Sequence, residues 1–349
     1  MVAIMARDGY YMSYAIGTDL TAWGNAWVAL IVAETNALDW FISANITHTK
    51  PKTININPMT AGHYPKRLDT GRIRGKLATT HYLQTGILTY AVMGKCSTST
   101  ANGDPYTKAI TKATTETPVS IAFHYEKEGT TASRRKDMMG VVPRSLDISV
   151  SEINPIARQI YTCDFAYTGP GADLAQPTAF TQTNLPLYNW YDYKSASGAS
   201  EFLYHGGAIN VDIVSVDMHI AWGEPLFGTY DLNAYPTNGL MKPPFLSSVD
   251  LGVRITDAAG TDINTIADTA HGSYAGDLDF IADFYKSADD YLKYTWDKMY
   301  IDPESYEEVF QAEGDWFDGA KFTLKFLNEN SSLAVEEKSL LDKTYYEND

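Results

Sequence analysis

The chain has 349 residues and a net charge of −16, with 27 Lys+Arg against 43 Asp+Glu. A chain this acidic gains little from counterion release and is a poor nucleic-acid binder, while its length suffices for one large β domain or two ordinary ones. Its 2 cysteines exclude a disulfide framework and a four-thiolate zinc site, so Cys96 and Cys163 are expected to be buried thiols.

The charge is unevenly placed. Residues 1–175 carry 17 Lys+Arg and 14 Asp+Glu, whereas residues 176–349 carry 10 and 29. Such a surface either serves solubility or turns an acidic face toward something that must not adhere. The 24 Tyr, 13 Phe and 7 Trp suit strands and protein interfaces better than a disordered tail. No apolar run preceded by basic residues opens the chain, so no signal peptide is expected. The apolar stretch from Trp23 to Val32 is too short and interrupted to span a bilayer, and no membrane partner is expected.

In chain order, the aromatic and glycine-bearing start (Tyr10, Tyr11, Tyr14, Gly17, Trp23, Gly24, Trp27) reads as an N-terminal arm leading into a strand over Ala26 to Ala33. Trp40, Phe41 and Ile42 begin a second strand. Residues 47–70 turn polar, and the alternation of Ile54 and Ile56 with Asn55 and Asn57 predicts a short projecting hairpin. Gly71 to Thr80 reads as a strand with basic residues on its outer face. The spacing of Leu83, Ile87, Leu88, Ala91 and Val92 then predicts a helix over Tyr82 to Met93, stopped by Gly94.

Val119, Ile121, Phe123 and Tyr125 alternate as a strand. The clearest pair follows. Leu146, Ile148 and Val150 alternate with Ser145, Asp147 and Ser149; beyond Asn154-Pro155, Tyr161, Cys163, Phe165 and Tyr167 alternate in turn. Pro170 to Ser200 reads as a long connection or insertion. Ile209, Val211 and Ile213 keep one parity and Val214, Val216, Met218, Ile220 and Trp222 the other, which predicts a β-bulge. Further strands are expected at Val249–Ile255, Leu278–Phe284 and Ala320–Phe326, with short helices over Asp289–Tyr300 and Ser305–Gln311. The sum is a mainly β fold: an antiparallel β-sandwich or barrel with one packed helix. No fixed repeat is visible, which disfavours propellers and solenoids.

Chemical motifs are lacking. No phosphate-binding Gly-rich loop, His-Glu-x-x-His, Gly-x-Ser-x-Gly elbow or calcium loop appears, and the seven histidines (48, 63, 81, 124, 205, 219, 271) show no ligand spacing. No catalytic residue, cofactor or metal site is expected. His219 falls on the face opposite Met218 and Ile220, facing solvent or a lumen. Glu304, Glu307, Glu308, Glu313, Asp315 and Asp318, interleaved with Tyr306, Phe310, Trp316 and Phe317, form either a solvated acidic segment or the carboxylates of a glycoside-cleaving site. Lys66, Arg67, Arg72, Arg74 and Lys76 form the strongest basic patch, with only Tyr64 nearby for base stacking. It reads better as half of an electrostatic contact with the acidic half of a neighbouring subunit.

The order of these segments carries a resemblance. The aromatic N-terminus and long projecting loop precede a basic Gly-Arg-Ile-Arg-Gly strand (71–75) and a helix ending Ala-Val-Met-Gly (91–94). A strand opening Thr-Pro-Val-Ser-Ile (117–121), the segment Gly-Val-Val-Pro-Arg-Ser-Leu-Asp-Ile-Ser-Val-Ser (140–151) and a strand closing Phe-Ala-Tyr-Thr-Gly (165–169) follow. This series resembles the tail-tube proteins of tailed bacterial and archaeal viruses, relatives of the inner-tube proteins of contractile injection systems. It covers residues 10–170 in order and the strands from 209 onward more loosely. The chain departs from the family in its extra length, in Pro170–Ser200 and in the acidic region after 277.

The resemblance implies a core over 1–170 with an N-terminal arm and projecting loop, a linker or insertion over 171–206, and remaining strands over 207–349. The acidic region 277–318 would be displayed outward. It implies a virion structural protein forming stacked hexameric rings, in which sheets from six copies close into one β-barrel lumen and cover their open edges. The helix would pack on the outer face of the sheet, and the loop and arm would reach the next ring. Lys50, Lys52, Tyr64, Lys66, Arg67, Arg72 and Arg74 are the expected subunit or ring interface. Partners would be baseplate or tip, terminator and tape-measure proteins, and DNA would pass through without sequence-specific binding. The site of action would be the virion tail, after assembly in the host cytoplasm. Two alternatives remain open: another virion β-protein, such as a tail terminator or capsid-surface component, and a carbohydrate-binding or glycoside-active β-sandwich.

Overall fold

The computed structural model describes residues 10–17, 40–49, 52–57, 67–73, 75–98, 106–114, 120–127, 136–170, 187–204, 207–209, 211–228, 239–255, 278–311 and 317–339. Over these residues the chain is mainly β. A 17-stranded antiparallel sheet curls into a half-barrel, accompanied by a separate two-stranded hairpin and two short α-helices.

The first layer of the sheet runs β5 (Gly75–Tyr82), β10 (Arg158–Pro170), β9 (Lys136–Ser151), β13 (Val211–Phe227), β14 (Gly239–Ile255), β18 (Phe317–Phe326). Period-2 alternation sends Leu146, Ile148, Val150, Tyr161, Cys163, Val216, Met218, Ile220, Val249, Leu251 and Leu324 inward, where all are buried. At its far end β18 passes the ladder to β16 (Asp290–Ile301), which continues to β19 (Ser332–Ser339), β7 (Tyr106–Lys112) and β6 (Gly94–Thr98). On its other side β16 pairs with β15 (Leu278–Ser287), and β15 with β11 (Glu201–Tyr204). This second layer folds back over the first. Trp296 of β16 donates its indole N–H to Ser247 Oγ of β14 at 2.8 Å, and the hydroxyl in turn donates to the His219 carbonyl at 2.9 Å.

Helix α1 (Ile87–Met93) fills the space between the layers. All seven of its residues are buried, as expected of a helix apolar on every side. Trp222 binds the Val92 carbonyl at 2.7 Å, Thr89 shares a hydrogen bond with the Tyr294 hydroxyl, and Glu337 of β19 accepts the Gly86 N–H at 3.2 Å at the helix start. Each fully buried large apolar side chain adds about 1.5–3 kcal/mol to this packing. Gly94 ends the helix at φ +89°, the left-handed conformation that favours glycine.

The helix is shorter than the expected Tyr82–Met93. Residue 83 instead donates its N–H to the Ala157 carbonyl at 2.9 Å and accepts from the Tyr188 N–H at 3.0 Å, so these backbone groups serve neighbouring segments. The expected helix over 289–300 is the strand β16, with Leu292, Tyr294 and Trp296 buried on alternate positions. The expected helix over 305–311 is a 3₁₀ turn, Pro303–Ser305, followed by the strand β17 (Glu307–Gln311). β16 carries aromatics at alternate positions, which a strand buries well on one face.

The bulge expected after Ile213 is present: the β13–β14 register shifts between Ile213 and Ser215. Opposite it, a Cβ on Gly252 would lie 2.5 Å from Ser215 Oγ, so a side chain there would make the Ser215 hydroxyl turn away. Cys96 and Cys163 are buried free thiols. Within the expected linker 171–206, residues 187–204 pack onto the core through α2 (Trp190–Tyr193). Its N-terminus is closed by a reciprocal Asn189–Asp192 capping box. Within 277–318, β15 and β16 bury Leu278, Phe280, Phe284, Tyr294 and Trp296. The strand expected over 26–33 lies outside the described residues.

The strands of the first half close partly on themselves. β1 (Tyr10–Gly17) pairs with β2 (Trp40–Thr49) and β8 (Ser120–Lys127); β2 pairs with β5, and β8 meets β9 through three residue pairs, Phe123↔Met138 to Tyr125↔Lys136. The outer edge of β5 is thus covered here by the chain's own β2, which lessens an aggregation hazard at that side of the sheet. Among the described residues, strands with a single neighbour are β6, β12 (Gly207–Ala208), β17 and the hairpin strands β3 (Lys52–Asn57) and β4 (Arg67–Ile73).

Candidate functional site

The first layer presents its other face to solvent, and cross-strand register turns that face into rows. One row runs Thr80, Ile160, Asp147, His219, Ser248, Lys325 from β5 to β18. The next runs Tyr82, Arg158, Ser149, Asp217, Asp250, Thr323, and a third runs Ala78, Thr162, Ser145, Ala221, Leu246. Each of these residues is half-buried or exposed, and most side chains are short and polar. Many bond along the rows. Ser145 Oγ and Thr162 Oγ1 are 2.7 Å apart, Thr323 donates to Asp250, and His219 Nδ1 bonds Asp147.

The centre of the face is acidic. Asp147, Asp217 and Asp250 lie on three adjacent strands, with Asp217 and Asp250 directly opposed. Partial burial, reinforced by the charges of Asp250 and Asp147, raises the Asp217 pKa above the ordinary carboxylate value. The hydrogen bond that the imidazole donates to the Asp147 carboxylate holds the His219 pKa above 6.5, against the opposing effect of burial. Next to Ser145 in sequence, Arg144 binds Asp164 at 2.7 Å and Glu224 at 3.3 Å.

Ser248, His219 and Asp147 are the residue types of a nucleophilic triad, laid side by side. Among the described residues, however, Ser248 makes no hydrogen bond to the imidazole, and the surrounding backbone N–H groups are engaged in ladders, so no oxyanion site accompanies it. The His219–Asp147 contact is an electrostatic feature of the face. No group of three or more metal-ligating side chains occurs among the described residues. No helix of the described residues is long and apolar enough to cross a membrane.

Of the expected interface residues, Lys52, Arg67 and Arg72 stand on the β3–β4 hairpin. Lys52 is opposite Ile73, the neighbour of Arg72, and Arg67 is opposite Asn57 at the other end. Lys50, Tyr64, Lys66 and Arg74 lie outside the described residues. Of the acidic cluster, Glu304, Glu307 and Glu308 are exposed on the 3₁₀ turn and on β17, opposite Lys321 and Ala320 in the last two cases, and not across a cleft from one another. Glu313 and Asp315 lie outside the described residues. Sequence periodicity marked Ser145, Asp147, Ser149 and His219 as solvent-facing; their union with Asp217, Ser248 and Asp250 depends on long-range register.

No protein-family model matches the chain, and no curated protein aligns with it significantly. Function is therefore read from the sheet. Its first layer presents a broad surface of mostly short side chains with a negative centre.

Proposed function

We propose that the chain is a structural, self-assembling virion protein: a tail-tube subunit whose copies form hexameric rings, stacked around a channel for DNA. The observation that carries this reading is the wide solvent face of the first layer. Short polar side chains span its strands, carboxylates occupy its middle, and a packed helix and second layer cover its back. Such a face suits the wall of a channel, because like charge keeps a passing polyanion from adhering. The order of motifs over residues 10–170 supports the same reading. The protein acts without catalysis, through contacts with its own copies and with other tail proteins.

Electron microscopy and light scattering of the purified protein test this. Rings or tubes with a central channel are expected. A compact monomer at all concentrations overturns the proposal, and assembly that stops at one ring points to a tail terminator. Glycan binding or hydrolysis lost on Glu313→Gln or Asp315→Asn would mark a carbohydrate-active protein instead.

A further inference from the structure

Among the described residues β17 pairs with β18 alone, and no other described strand takes up its outer row of backbone donors and acceptors. An open edge of this kind is a template for strand addition. It is also acidic: Glu307 and Glu308 are exposed on it, Glu304 is exposed just before it, and its five residues contain no Lys or Arg. Within the subunit the charge opposite these glutamates is Lys321, the cross-strand partner of Glu307.

The β3–β4 hairpin is the counterpart. Its strands, of 6 and 7 residues, pair only with each other among the described residues. A lone two-stranded hairpin is marginal in water and gains stability when a further strand or surface joins it. Lys52, Arg67 and Arg72 stand on it against the single Asp69, with Lys50, Lys66 and Arg74 adjoining in sequence. The hairpin leads directly into β5, six ladder steps from β17 through β10, β9, β13, β14 and β18. At 4.7–4.9 Å per step that is roughly 29 Å along the sheet. In one copy the basic hairpin thus runs into the first strand of this layer, while the acidic edge pairs with its last.

We propose that the open edge of β17 receives the β3–β4 hairpin of a second copy of this chain, by strand addition guided by opposite charge. The contact joins two different surfaces, so repetition generates rings or filaments. It rests on the tube reading in needing a second copy, and it names the surfaces that meet.

The test uses full-length protein in three forms: Glu307→Lys with Glu308→Lys, Arg67→Glu with Arg72→Glu, and all four changes together. Assembly is followed by light scattering and microscopy, and folding by circular dichroism and the unfolding midpoint. Each double variant is expected to fold as the parent does yet lose assembly by about tenfold or more, because like charges then face each other. The fourfold variant, with the charges exchanged, is expected to recover it. Loss of rings places the contact within a ring; rings that no longer stack place it between rings. Parent-like assembly in both double variants, or failure of the fourfold variant to recover despite normal folding, overturns the inference and leaves the tube reading standing. Charge-dependent oligomers without a channel uphold the inference and overturn the tube reading.

Discussion

Acidification from pH 7 to 4.5 should destabilise this protein through one imidazole, that of His81 on β5. The residue is 0 % exposed, and burial pushes its pKa from 6.5 down to about 3. The unfolded chain takes up a proton near 6.5, whereas the folded chain stays neutral until near 3. The contribution of His81 to stability is thus complete above 6.5 and is lost as the pH falls toward 3. Within that window each pH unit costs about 1.4 kcal/mol, so pH 4.5 removes about 2.7 kcal/mol and the full window roughly 5 kcal/mol. Against a typical total stability of about 5–15 kcal/mol this is a large share. Urea unfolding of the parent and of His81→Gln at both pH values isolates the effect, since every other titrating group is common to the two. The parent should lose about 2.7 kcal/mol more than the variant. Equal losses, or a folded-state His81 titrating near 6.5 by NMR, would refute the reasoning.

Three other perturbations follow from the packing and the open face. Glu337 and Lys108 are cross-strand partners, each 1 % exposed, so Glu337→Ala leaves a buried ammonium without the carboxylate opposite it. Chemical denaturation should show a loss of about 3–5 kcal/mol. Gly94→Ala forces a left-handed φ on a side chain whose Cβ would lie 2.9 Å from that of Ala113, and should cost at least about 1–2 kcal/mol in the same assay. Asp147→Asn should return the raised His219 pKa toward 6.5, read from the imidazole proton shifts. In the parent this pair stabilises the fold fully below pH 6.5 and less as the pH rises through the folded pKa; the variant should lack that dependence.

Local pattern carried much of the architecture. Alternation at Leu146–Val150 and Tyr161–Phe165 assigned both strands and both faces correctly, because each strand has one buried side and one wet side. The parity change after Ile213 located a bulge because inserting one residue reverses every subsequent side chain. The pattern failed where local signals competed. Leu83 fitted a helical face, but its backbone groups bind Ala157 and Tyr188, contacts invisible in a single segment. The stretch 289–300 fitted a short helix, yet Leu292, Tyr294 and Trp296, buried at alternate positions, make it a core strand. In β19, Glu336, Glu337 and Lys338 obscure the alternation of Leu333 and Val335, so its strand shows only in the tertiary structure.

What the amino-acid order determined by itself was which residues seek a core and which seek water, since side-chain chemistry and the two-residue period of a strand suffice for that. Tertiary structure alone decided which strands became neighbours. Asp147, His219 and Ser248 are separated by 72 and 29 positions in sequence but adjoin on three strands, because ladder register, not proximity along the chain, selects partners. The acidic face, the enclosure of α1 and the open edge of β17 are all consequences of that long-range pairing.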